Sequence, residues 1–236
     1  MIVQPYPDVV LKAVNSVFNC CPTVIKNDLL NHLTIKSVKK DEVFIQEGDC
    51  CDGIYIISKG SIKLYLKKTR QNDSRPNGIA GRTSGRKKRD QIILFKTVND
   101  IIGIQSAMSD DNFNYSASAM EDSMLAFIPK THIEKILTTY PNVFFSLMKK
   151  VNETATAIES RSSLMMSDSA EKVVMKTMQD LKNTFGTDDE GYIKIQIPVK
   201  DLASYICMSK TNLYRVLHAL KGKTGLSHQL DRYRLS

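Results

Sequence analysis

The sequence predicts an α+β chain: a double-sheet jelly roll, one long helix, then a small unit ending in two short helices around a tight turn. Three observations predict it. Residues 37–128 hold many short β-branched and aromatic runs separated by Gly-bearing turns, the spacing of an antiparallel roll. Residues 144–165 carry an apolar stripe at alternating spacings of four and three. Residues 199–220 carry two apolar helical faces interrupted at Cys207-Met208.

With 236 residues, 42% hydrophobic and 25% charged, the chain is long enough to bury two modest cores. No apolar run approaches the ~18 residues of a membrane span, and MIVQPYPDVV lacks the pattern of a signal peptide, so the cytoplasm is expected. The five cysteines, an odd number that includes two adjacent pairs, suggest reduced thiols rather than a disulfide framework. A net charge of +8 suits a polyanionic partner, though charge alone does not separate nucleic acid from an anionic membrane surface.

In chain order, residues 8–33 read as short helices broken at Pro22, with Val9, Val10, Ala13, Val14 and Val17, then Val24, Leu29, Leu30 and Leu33, as apolar positions. Strands are expected at 37–46, 53–57, 61–66, 91–96, 114–120 and 123–128. The connection over 67–90 is too long for an ordinary hairpin and carries nine cations against Asp73 and Asp90. It reads either as a solvated loop or as an auxiliary contact to DNA phosphates or to an acidic partner.

After Pro141, Phe144, Met148, Val151, Ala155, Ile158 and Met165 recur as the seam of a two-helix contact, with Ser162 in the remaining slot. A partner helix is expected; packing on the roll is the alternative. Ser167-Asp168-Ser169 then breaks the pattern and caps a helix over 170–185, whose core face is Val173, Val174, Met178, Leu181 and Phe185. An alternating strand over 192–197 follows. Past the last helix, Lys221, Lys223, His228, Arg232 and Arg234 either reach phosphates or are solvated.

In the stretch 198–221, Val199, Leu202, Ala203 and Ile206 share one helical face, and Asp201 sits in the first turn, where the helix dipole favours negative charge. Ser209 caps a second helix, on which Leu213, Val216, Leu217 and Leu220 form one stripe. Lys210, Thr211, Asn212, Tyr214, Arg215 and His218 are then turned outward. Two short helices presented this way form the helix-turn-helix that enters a DNA major groove. Lys210 and Arg215 suit guanine O6/N7, Asn212 suits adenine, and Thr211 or Tyr214 suits a thymine methyl or a phosphate.

These residues, D-L-A-x-Y at 201–205, S-K-T-N-L-Y-R at 209–215 and the following V-L-x-x-L, resemble the winged helix-turn-helix of the Crp/Fnr family of bacterial transcription regulators. E-G-D at 47–49, I-Y-I-I-x-x-G at 54–60 and N-D-I-I-G at 99–103 resemble its β-roll. The resemblance implies three parts: a sensor roll with N-terminal helices (1–140), a dimerisation helix (141–166) and a winged helix-turn-helix (167–236). It also implies a homodimer on double-stranded promoter DNA, RNA polymerase as a further partner, and Lys210, Thr211 and Arg215 facing base edges. Where the family usually has Gly at the turn, this chain has Cys207, a position that often needs positive φ and costs a residue with a Cβ about 1 kcal/mol.

The effector motifs depart most from the family. Cyclic-AMP-binding members carry Gly-Glu and Arg-Ser-Ala, where this chain has Gly103-Ile104-Gln105 and Tyr115-Ser116-Ala117. The ribose acceptor and the phosphate counter-charge are both missing, so cyclic AMP is not expected as effector. Gly103, Gln105, Tyr115 and Ser116, with Arg161 and Ser162, are the residues left to line another pocket. Cys20-Cys21 and Cys50-Cys51 lack the separated spacing of the family's iron–sulfur sensors, leaving ordinary thiols or a thiol redox sensor. His32, His132, His218 and His228 are isolated, and no Ser-His-Asp set, P-loop or GxGxxG occurs, so neither a metal site nor catalysis is expected. The rival to a DNA-binding regulator is a small-molecule- or redox-sensing module with a vestigial DNA-binding unit.

Overall fold

The computed structural model describes residues 6–19, 21–67, 90–109, 111–224, 226–229 and 231–235. Most of the basic 67–90 connection, and Cys20, therefore lie outside the described residues. Pro7 and Pro22 precede α1 (Asp8–Val17) and α2 (Thr23–His32), their φ of −53° and −56° already set for a helix start. Val10, Ala13, Val14 and Val17 are buried, whereas Val9 and Val24 face outward.

The roll continues through β1 (Thr34–Val38), β2 (Val43–Ile45), β3 (Gly53–Lys59), β4 (Ile62–Leu66), β5 (Gln91–Lys96), β6 (Ile101–Ile102), α3 (Ile104–Ser109), β7 (Ser116–Ala119) and β8 (Ser123–Pro129). Among the described residues these strands form two four-stranded sheets, ordered β1-β8-β3-β6 and β2-β7-β4-β5, with every pairing antiparallel. This is the expected double-sheet roll. The single strand expected over 37–46 is instead two strands in different sheets. Asp41 breaks it at φ 66°, and the Asp122 carboxylate accepts from the Lys40 N–H (3.0 Å), turning the chain from one sheet to the other.

Next come α4 (Lys130–Thr139) and α5 (Pro141–Ser167), with Pro141 in the first turn of α5. The Ser169 hydroxyl caps α6 (Ala170–Phe185) by accepting from the Lys172 N–H, and Gly186 ends it at φ 68°. Then follow α7 (Val199–Tyr205), α8 (Lys210–Thr224) and the hairpin of β9 (Ser227–Gln229) and β10 (Arg232–Arg234). The expected strand over 192–197 buries Ile193, Ile195 and Ile197 in alternation but makes only isolated bridges. Its N–H groups go to separate acceptors, Ile193 to Tyr233, Lys194 to Gly186 and Ile197 to Asp231, so no regular ladder forms.

Two apolar cores result. The first joins the roll to α1, α2, α4 and the start of α5. The second lies among α6, α7, α8 and the hairpin, and it also takes in Tyr65, Ile92, Phe95 and Met120 from the roll.

Along α5 the predicted seam divides. Val143 and Leu147 are buried, Val151 packs on the first core, Ile158 lines a cavity against the roll, and Met165 packs on the second core. Phe144, Phe145 and Met166 stay exposed at 38%, 69% and 89%. A seven-residue repeat drifts by about 20° per heptad around a 3.6-residue helix. The series Phe144, Val151, Ile158, Met165 therefore rotates from an exposed position to positions packed within the chain, while Ser162 stays exposed.

Candidate functional site

The segment α7–turn–α8 carries the predicted division of faces. Leu202, Ala203, Ile206, Leu213, Val216, Leu217 and Leu220 are buried, whereas Thr211, Tyr214, Arg215 and His218 are exposed and Lys210 and Asn212 half-buried. The Ser209 hydroxyl accepts from the Asn212 N–H (3.2 Å), the expected cap. Arg215 Nη2 donates to Asn212 Oδ1 (2.8 Å), so these two side chains are presented as a pair rather than separately. No acidic residue lies on α8.

Cys207 occupies the turn at φ 54°, the left-handed conformation expected there. Replacing it with Gly is expected to raise stability by about 0.5–1 kcal/mol, by removing the Cβ penalty. The check is a higher denaturant midpoint with an unchanged m-value.

Beside α8 the hairpin forms an aromatic stack. Tyr214 meets His228 edge-on (6.5 Å), and His228 stacks on the fully buried Tyr233 (4.8 Å). Burial pushes the His228 imidazole below its ordinary 6.5, and its Nε2 has no hydrogen-bond partner among the described residues. As pH falls through about 6.5 the unfolded ring takes up a proton that the folded ring refuses, so stability drops on acidification by at most about 1.4 kcal/mol per pH unit. The loss stops once pH is below the folded value. Thermal melts of the wild type and His228→Phe between neutral pH and pH 5 isolate this ring; the variant is expected to have the flatter profile.

Arg232 and Arg234, candidates for phosphate contact, are engaged within the chain. Arg232 pairs with Asp188 and Glu190 and lies over the Tyr192 ring (4.4 Å), while Arg234 lies over the same ring (5.3 Å) and donates to the Glu190 carbonyl. Both brace the base of the hairpin.

Sequence reasoning missed how α7 is held. Lys63 on β4 pairs with Asp201 at 2.7 Å, with side chains only 17% and 11% exposed. The Ser204 hydroxyl donates to the Asp90 carbonyl (2.6 Å) and accepts from the Ile92 N–H (2.9 Å), and the Gln91 amide donates to the Ser204 carbonyl. Tyr205 packs against Phe95 (4.7 Å) and lies under the Arg161 guanidinium (4.1 Å), which also donates to the Ile93 carbonyl. The first helix of the pair is thus bonded along the β4–β5 edge of the roll. No local pattern announces partners 138 positions apart, as Lys63 and Asp201 are.

A cavity of about 270 Å³ lies between the roll and α5. It brings together three of the six predicted pocket residues: Gly103, Gln105 and Tyr115. Ser116 is fully buried, its hydroxyl accepting from the Glu47 N–H (3.0 Å). Arg161 is drawn away to Tyr205, and Ser162 is exposed, donating to the Ile158 carbonyl (2.9 Å). Gly103 needs its φ of 90° and its bare Cα, since a Cβ there would meet the Gly53 carbonyl and the Phe113 ring at 3.0 Å. Its N–H donates to the Tyr115 hydroxyl (2.9 Å), and burial pushes the Tyr115 pKa up to about 12.

Cys51 is buried, with its thiol directed at the Gly53 and Gly103 carbonyls, and burial raises its pKa. Among the described residues no group of three or more His, Cys, Asp or Glu side chains is placed to hold a metal ion, and no helix is long and apolar enough to cross a membrane.

The profile of the cyclic nucleotide-binding domain matches residues 35–140. The regulatory protein HlyX of Actinobacillus pleuropneumoniae is 21% identical over 200 residues, covering 84% of this chain and 75% of that protein. Among solved structures, FixK2 from Bradyrhizobium japonicum superimposes with a TM-score of 0.71 at 17% identity, covering 86% of this chain and 92% of FixK2. A transcriptional regulator of the Crp/Fnr family from Eubacterium rectale gives 0.67 at 14% identity, covering 93% of this chain and 92% of that one.

Proposed function

We propose that the chain is a transcription regulator of the Crp/Fnr type that acts as a homodimer on a near-palindromic promoter site, read by α8 and not controlled by cyclic AMP. One observation carries the reading. α8 buries its apolar stripe, is capped at Ser209, and turns an acid-free face with a paired Asn212 and Arg215 to solvent. Such a face supplies both a bidentate guanine reader and an adenine reader.

Dimerisation is supported by the outer strip of α5, where Phe144, Phe145 and Met166 are apolar and exposed along a 27-residue helix. Two copies would set two α8 helices on half-sites about one turn of DNA apart. The β4–β5 edge that holds α7 gives the roll a direct mechanical connection to the reading helices.

Selection of random oligonucleotides by the purified chain tests the proposal. A two-fold-symmetric site with half-sites about ten base pairs apart is the expected product. If no palindrome were enriched under any redox or ligand condition, the roll would be a sensing module attached to a vestigial DNA-binding unit.

A further inference from the structure

The matched domain is named for cyclic nucleotides, but the cavity of this roll is built for something else. Its walls are Leu64, Ile93, Leu94, Ile101, Ile104 and Ile158. A cyclic phosphate needs a cation or free N–H groups, because burying an unpaired charge costs several kcal/mol. The Gly103 N–H is already taken by the Tyr115 hydroxyl. Lys96, the one cation among the described lining residues, has a side chain 12% exposed; it lies 3.7 Å from Asp100 and donates to Thr154 (3.1 Å). Among the described residues no carboxylate lines the cavity to accept the ribose hydroxyls; Gln105 and Asn114 offer only amides, and both are exposed.

We infer that this cavity binds a compact, neutral, largely apolar molecule with one polar end directed toward Gln105 and Asn114, and that cyclic nucleotides are not its ligands. The inference rests on the reading of the roll as the sensing unit and is independent of DNA binding. A volume of about 270 Å³ falls just under the usual range of roughly 300–1,000 Å³ for ligand pockets, which suits a one- or two-ring molecule. Apolar walls supply its affinity, and with Lys96 already engaged by Asp100 and Thr154 the burial of a phosphate is left poorly compensated.

The same cavity touches the parts that would carry a signal. Thr154 and Ile158 bring α5 to it, and Leu94 brings β5. On that strand Ile92 and Phe95 turn the other way, into the core shared with α7. A ligand that wedges between Leu94 and Ile158 therefore presses on the long helix and on the strand that holds the first helix of the DNA-reading pair.

The test titrates the full chain with prodan, a neutral two-ring fluorophore carrying one carbonyl. Saturable, blue-shifted emission at one site per chain is expected, unchanged by millimolar cyclic AMP or cyclic GMP. Leu94→Trp, which fills the cavity, should weaken binding about tenfold or more. Ile158→Trp provides the same occlusion from α5 should the first variant lose its cooperative melt. Val24→Lys, on the exposed face of α2, should leave binding unchanged. Displacement of prodan by either cyclic nucleotide would overturn the inference, as would absent saturation or binding indifferent to both tryptophans. DNA selection run on the same preparation keeps the two readings separable: its failure with prodan binding intact would sink the DNA reading alone.

Discussion

Lys63→Ala is expected to destabilise the chain by about 3 kcal/mol or more, because it strands the Asp201 carboxylate, 11% exposed, without its ammonium partner. Attraction between two nearly buried charges only roughly repays their desolvation, so most of the loss comes from the orphaned charge and not from the value of the pair itself. Lys63→Met combined with Asp201→Leu should therefore recover most of the stability, and urea denaturation of the two single variants and the double gives a strongly non-additive cycle. Additive losses would mean that Lys63 and Asp201 act separately. The double variant also asks a functional question. If the β4–β5 edge transmits the state of the roll, a stable chain without this ion pair should show altered DNA affinity, whereas unchanged affinity would reduce the contact to packing.

Arg215→Ala is expected to raise the Kd for the selected DNA site by about 5- to 150-fold per half-site, the roughly 1–3 kcal/mol of one bidentate base contact, and to relax preference at one base pair. Because Arg215 is exposed on α8, its removal should move stability by no more than about 0.5 kcal/mol, so the binding change is not a folding effect. The hydrogen bond from Arg215 to Asn212 adds a second expectation. Asn212→Ala should lose part of its effect through a misplaced Arg215, making the double variant weaker than the wild type by less than the sum of the single losses. Fluorescence anisotropy with the selected site and single-base variants reads all three. A uniform loss across sequences, with a shallower salt dependence, would assign Arg215 to a phosphate instead.

Much of this protein is local enough to be legible in the sequence. Runs rich in β-branched and aromatic residues located most strands of the roll, period-3.6 runs located the helices other than α3 and α4, and the Ser169 and Ser209 caps, the positive φ at position 207 and the outward set on α8 all follow from near neighbours along the chain. Ile104 after Gly103 and Tyr115 before Ser116-Ala117, where cyclic-AMP-binding members carry Glu and Arg, could likewise be read as a loss of the ribose and phosphate partners. Tertiary structure alone decided which sheet each strand joins and that residues 192–197 form no ladder. It also decided that α5 turns Val151, Ile158 and Met165 inward, and that Arg161 leaves the cavity for Tyr205. Above all it brought Lys63 to Asp201 and Gln91 to Ser204. The physical reason is common to these cases. Propensity and capping act over a few residues, while a contact between distant segments depends on how two cores dock, and that geometry leaves no period in the chain.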